Sequence, residues 1–246
     1  MGVPLSVYAT YIQYMTIQTG RYNAWPFARF GGLGAIGFAA LIVGANLVLE
    51  PAGMPVIGAD IEEVNTFFAA ESGAVGLSSS VTPAAWLCVI VFGAAAVATI
   101  WPRERAAGTA WSLVGFAGLL LQTAAFVGVV AIRLALSATT ERSGTATLWA
   151  LHNALFVLNG VFLTVALLGL SLGGRRAGLI RRWHAAVGLV AAAGLFVSAT
   201  LTPLVIDHAG PLALISLISW LLWVVWLVTY GVTLLRLVPA TQPSVG

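Results

Sequence analysis

The sequence contains no lysine, a single cysteine and very little charge: only 8% of its 246 residues are ionised at neutral pH, against about 25% in an average soluble domain. With 11 arginines and 8 acids among 60% apolar residues, charge cannot cover the surface of the folded chain. That excludes a soluble monomer and leaves lipid as the covering solvent. The same apolar content excludes intrinsic disorder. The net charge of +3 does not argue for a nucleic-acid partner, because the arginines stand in short clusters between apolar runs, the pattern of membrane orientation. Cys88 lies inside an apolar run, so neither an intramolecular disulfide nor a cysteine-based metal site is available.

What is present is apolar length. A membrane-crossing helix needs about 20 predominantly apolar residues, and six segments qualify: Gly31–Leu49, Ala84–Trp101, Thr109–Ala138, Thr147–Leu172, Trp183–Ile206 and Leu212–Leu237. The expected fold is an all-α polytopic bundle over 29–237, preceded by a cytoplasmic or interfacial segment (1–28) and followed by a flexible tail (238–246). Pro51 and Pro55, Pro102, Gly173-Gly174 and Gly210-Pro211 mark the breaks. The first 25 residues lack the basic start and apolar core of a signal peptide and carry Tyr8, Tyr11, Tyr14 and Tyr22, which suit the headgroup zone. Because arginine is retained on the cytoplasmic side, placing the N-terminus inside puts nine of the eleven arginines there. Arg133 and Arg142 fall outside, with every acid except Glu104. Both termini are then cytoplasmic.

Helix packing in lipid relies on small residues. Ala40 with Gly44, Ala94 with Ala98, and Gly188, Ala192, Gly194 and Ser198 have suitable spacing. In the sixth span Trp220, Trp223, Trp226 and Tyr230 occupy one broad side, to pack in the bundle or to line an apolar cavity. In the connection Glu50–Pro83, Asp60 and Glu63 have capping-box spacing, and Ile61, Val64 and Phe68 recur at helical intervals. They predict a short amphipathic helix outside the membrane. Glu71 either falls on its apolar face or follows its end as a loop acid.

Polar residues then gather at one end. Gln122 and Arg133 are eleven residues apart and share a face of the third span; His152, Asn153 and Asn159 begin the fourth, which places His152 level with Arg133. Asn46, Thr200, Asp207 and His208 fall on the same outer half, whereas the cytoplasmic half offers little beyond His184. Arg133 either snorkels or turns inward to pair with Glu71, Glu50 or Asp207. This one-sided polarity predicts an outward-opening vestibule. His152, His208 and Asp207 are conceivable metal ligands but lack a ligand-spacing signature, and neither a bis-His haem pair nor a G-x-S-x-G element is present.

The run Leu148-Trp149-Ala150-Leu151-His152, the glycine-containing span that follows, and Leu179-Ile180-Arg181-Arg182-Trp183, with Ile132-Arg133-Leu134 upstream, resemble an uncharacterised bacterial family of six-helix membrane proteins over Arg29–Leu237. The resemblance implies the same topology and no established activity; the family's Pro-Arg before the fifth span is Arg181-Arg182 here.

The expectation is a non-enzymatic bacterial inner-membrane protein that needs no cofactor. It binds a lipid or other apolar ligand through Asn46, Glu71, Gln122, Arg133, His152, Asn153, Asn159, Thr200, Asp207, His208, Trp220 and Trp223, or serves as an accessory subunit. Its partners are membrane lipids and a membrane protein or a second copy. Two alternatives are an intramembrane enzyme using His152, Arg133 and Glu71, and a small transporter; the latter is disfavoured by the lack of a mid-membrane acid.

Overall fold

The computed structural model describes residues 27–139, 142–207 and 211–237. Within them the chain is helical without a strand, in the order α1 (Phe27–Leu49), α2 (Ile61–Ala70), α3 (Ser72–Ser80), α4 (Thr82–Ala106), α5 (Trp111–Ala138), α6 (Arg142–Arg176), α7 (Arg182–Thr200), α8 (Thr202–Asp207) and α9 (Pro211–Leu235). Six helices are long and apolar enough to cross a membrane, with α3 and α4 forming one run, Ser72–Ala106. The tyrosine-bearing first segment, Glu141, His208 and the tail lie outside the described residues.

The helices outrun the apolar segments that announce them. α6 has 35 residues, about 50 Å at 1.5 Å per residue, so it extends well past a hydrocarbon core of roughly 30 Å. Gly173 and Gly174 do not end this span: they lie inside α6, where their missing side chains admit neighbours. A Cβ on Gly173 would stand 2.7 Å from Glu104 Oε1, and one on Gly174 would stand 2.6 Å from the Tyr230 hydroxyl. α4 likewise runs through Pro102 to Ala106.

The fifth apolar segment is divided, with Thr200 ending α7 and Thr202 opening α8. Pro203 has no N–H to give the Ala199 carbonyl, and the Thr202 hydroxyl donates to that carbonyl instead, at 2.5 Å. The break between α3 and α4 repeats the device. Pro83 leaves the Ser79 carbonyl without its helical donor, and the Thr82 hydroxyl takes it at 2.6 Å. At both breaks, a threonine one residue before proline donates to the carbonyl that the proline cannot serve.

The six long helices close a ring: α1 packs on α4, α4 on α5, α5 on α6, α6 on α7, α7 on α9 and α9 back on α1. Aromatic side chains fill its interior. Phe38 meets Trp223 edge-on at 5.7 Å, and Phe92 meets Trp226 at 6.3 Å and Tyr230 at 5.4 Å. The aromatic side of α9 is therefore packed, with Trp223, Trp226 and Tyr230 buried. Outward, Leu47, Leu87, Leu113, Leu158, Val190 and Leu217 are exposed, as a lipid-covered surface requires.

The small-residue seams are not all where the spacing placed them. Ala40, Gly44 and Ala98 face outward. α1 instead approaches its neighbours through Gly32 and Gly34, whose added Cβ atoms would stand 2.7 Å from the Gly231 carbonyl and 2.5 Å from the Cys88 carbonyl. The α5–α6 seam uses Gly115, Gly118 and Gly169, and Gly188 and Gly194 do face α9. A four-residue interval marks a helix face, and any of several faces offers one.

At the end holding Glu50, α2 and α3 fold over the bundle. Val64, Phe67 and Phe68 of α2 and Val75 of α3 pack with Leu49, Ile132, Leu136 and Trp149. α2 begins after Asp60, but no side-chain hydrogen bond caps it. It ends at Ala70, so Glu71 is the joint between α2 and α3 and does not belong to the apolar face.

Candidate functional site

Where α5 and α6 meet beneath this roof, Arg133 Nε donates to His152 Nε2 at 3.0 Å. Guanidinium has no lone pair to offer, so Nε2 must be the unprotonated ring nitrogen. The proton then sits on Nδ1, which faces Asn153 Oδ1 at 3.3 Å. His152 is held as a neutral imidazole of one tautomer.

Aromatic rings wall the pair. Trp149, one turn before His152, stacks on it at 4.7 Å with planes 8° apart, and Phe156, one turn after, stacks at 5.9 Å and 18°. The Arg133 guanidinium also lies 5.8 Å from the Phe156 centroid. Phe68 of α2 meets Trp149 edge-on at 6.3 Å, tying the roof to the site. Arg133 thus turns inward, but to an imidazole. Among the described residues no carboxylate lies within ion-pair distance of it, and its two terminal amino groups have no hydrogen-bond partner. Among the described acids, Glu50 is the one whose charge favours the guanidinium.

The other expected members of this cluster scatter. Asn46 is exposed and donates to the Ile42 carbonyl of its own helix at 2.8 Å, and Thr200 is exposed. Gln122 and Asn159 are buried on the facing helices α5 and α6, with Gln122 Oε1 and Asn159 Oδ1 unpartnered. Trp220 and Trp223 belong to α9, which packs on α1 and α7. The side chain of Asp207 and all of His208 lie outside the described residues. Of the three conceivable metal ligands, only His152 is described by its side chain, and Arg133 occupies its Nε2. One groove at this end, about 460 Å³, runs along the α1–α2 connection past Glu62, Glu63 and Glu71.

Comparison with protein families, with curated proteins and with solved structures gives no match.

The opposite end carries more chemistry than its sequence announced. Glu104, 2% exposed, accepts from the Ser112 N–H at 3.0 Å to each carboxylate oxygen and from the Ser112 hydroxyl at 2.5 Å. Ala110, at the N-cap of α5, has no side chain to cap with. Glu104 reaches back from α4 to supply the acceptor and the negative charge that a helix N-terminus favours. Beside it, His184 Nε2 donates to the Trp226 carbonyl at 2.9 Å. Ser171 Oγ and Trp226 Nε1 are buried without partners, and both face the space that a side chain on Gly188 would fill. Sequence reading passed over this cluster because a lone acid in an arginine-rich connection looks like a solvated one. The missing cap before Trp111 was the available signal.

Proposed function

We propose that this is a bacterial inner-membrane protein, with both termini cytoplasmic, that binds an amphipathic ligand at the Arg133–His152 pair. One observation carries the reading: a guanidinium inside a membrane helix is costly unless paired, yet Arg133 is positioned by a neutral base and has no carboxylate partner among the described residues. Its remaining N–H donors suit a carboxylate or phosphate headgroup. Trp149, Phe156 and the apolar flanks of α5 and α6 suit the chain attached to that headgroup. The reading is non-enzymatic because the histidine that would act as a base already has its free nitrogen engaged. A transporter is disfavoured by the aromatic filling of the ring interior.

The test is mass spectrometry of the purified protein, intact and after lipid extraction. A specific amphipathic species should be retained by the native chain and lost at least tenfold in Arg133→Met. Retention of no species, or equal retention by the variant, would overturn the proposal.

A further inference from the structure

Among the described residues, no acidic side chain neutralises the arginine end. Arg103, Arg105, Arg175, Arg181 and Arg182 are exposed, and their guanidinium groups make no hydrogen bond, ion pair or ring contact among the described residues. Arg176 is exposed too, its guanidinium 5.3 Å from the centre of the Trp111 ring. Residues 1–26 and 238–246 contain no Asp or Glu, so the undescribed termini can bring no acidic side chain. Glu50, Asp60, Glu62, Glu63 and Glu71 stand between α1 and α4 at the other end of the bundle, Glu141 and Asp207 belong in sequence to the stretches after α5 and before α9, and Glu104 is buried and committed to the N-terminus of α5.

The two clusters form one surface. Glu104 ties the end of α4 to the start of α5. Gly173 brings the last turn of α6 against Ser112 and Trp111, where an added Cβ would lie 3.1 Å from the Ser112 nitrogen and 3.4 Å from the Trp111 Cβ. The turns α4–α5 and α6–α7 are tight, each using a glycine with positive φ, Gly108 at 65° and Gly178 at 68°. Arginines of both turns are therefore held side by side on short, fixed connections. They stand at the ends of membrane-crossing helices and above exposed Leu113, Val114 and Trp183, which is the depth of phosphate headgroups rather than of bulk water.

We propose that this surface is a seat for anionic phospholipid headgroups, with their phosphates between the α4–α5 and α6–α7 turns and their acyl chains against the lipid-facing side of α5 and α7. Charge complementarity selects the lipid, and the aromatic and apolar flank distinguishes it from an acidic protein. The seat is at the opposite end from Arg133 and does not depend on the ligand proposed there.

The test uses the full chain in detergent micelles, delipidated and then supplied with phosphatidylglycerol, with phosphatidylcholine of the same acyl chains, or with inorganic phosphate. Phosphatidylglycerol should raise the unfolding temperature and remain bound, phosphatidylcholine should do neither, and the difference should shrink as salt rises from 0.05 to about 0.5 M. Each arginine replaced by glutamine should cost roughly fivefold in apparent affinity for phosphatidylglycerol at low salt. The combined variant Arg175→Gln, Arg176→Gln, Arg181→Gln and Arg182→Gln should lose the preference while keeping its helicity and elution volume. Should that variant misfold, the pair Arg103→Gln and Arg105→Gln carries the same expectation. Equal binding of both lipids, unchanged preference in the folded variants, or a full effect from inorganic phosphate alone would overturn the proposal, as would phosphatidylglycerol-indifferent capture of an acidic protein.

Discussion

Arg133 and His152 can be tested as a coupled pair. Replacing His152 with alanine removes both the acceptor of the Arg133 Nε–H and the ring stacked between Trp149 and Phe156. A loss of about 2–4 kcal/mol is expected, from the uncompensated donor and the void together. Tryptophan fluorescence during thermal unfolding in detergent would measure it. A double-mutant cycle with Arg133→Met should show a coupling of about 1–2 kcal/mol; additivity would mean that the bond contributes nothing. Glu104→Gln keeps the shape of the α5 cap but removes its charge, and about 1 kcal/mol of stability should go with it. The pairing of Arg133 with His152 was partly legible in sequence, since an antiparallel pair of spans puts the end of one level with the start of the next. The tautomer was not, because it depends on which atom of a distant residue faces which nitrogen. The role of Glu104 was not legible for a related reason: its partner is eight residues away across a turn, and the acid itself sits in a stretch of ordinary loop composition.

Among the elements, the glycine seams divide cleanly into close contacts and open faces. A Cβ on Gly118 would stand 2.8 Å from the Phe162 carbonyl, and rigid backbone cannot give way as a side-chain tip can. Gly118→Ala should therefore force α5 from α6 and cost about 1–3 kcal/mol. Gly44, with nothing within 4 Å, is the control. Gly44→Ala should be neutral or slightly stabilising, through the better helix propensity of alanine. Thr202→Val tests the proline breaks in the same assay: it retains the shape but leaves the Ala199 carbonyl without its donor, so a loss of about 1 kcal/mol is expected. The existence of six long helices was readable because 20 apolar residues have few other ways to satisfy their backbone. Their ends were not, because helices run on past the membrane into sequence of mixed character, as α6 does to Arg176. Which small residues form the seams escaped for want of rotational phase, which only the neighbouring helices fix.

The whole molecule is electrically lopsided, with its arginine turns at one end and Glu50, Asp60, Glu62, Glu63 and Glu71 at the other. If the cytoplasm holds the arginine end, as proposed, cysteines introduced at Ala107 and Gly53 in a Cys88→Ala background should differ in whole cells. A membrane-impermeant maleimide should label the second and spare the first until the cells are lysed; the reverse pattern would invert the topology. The short tied turns described for the arginine end have a bearing on energised membranes. Each elementary charge carried through a potential of 100 mV exchanges about 2.3 kcal/mol. Arginines that cannot move independently of the bundle, opposed by acids fixed at its far end, make the protein a rigid dipole along the bilayer normal. A voltage negative on the arginine side holds such a dipole in place and does not work upon it, so polarisation should reinforce its orientation without driving a change of shape.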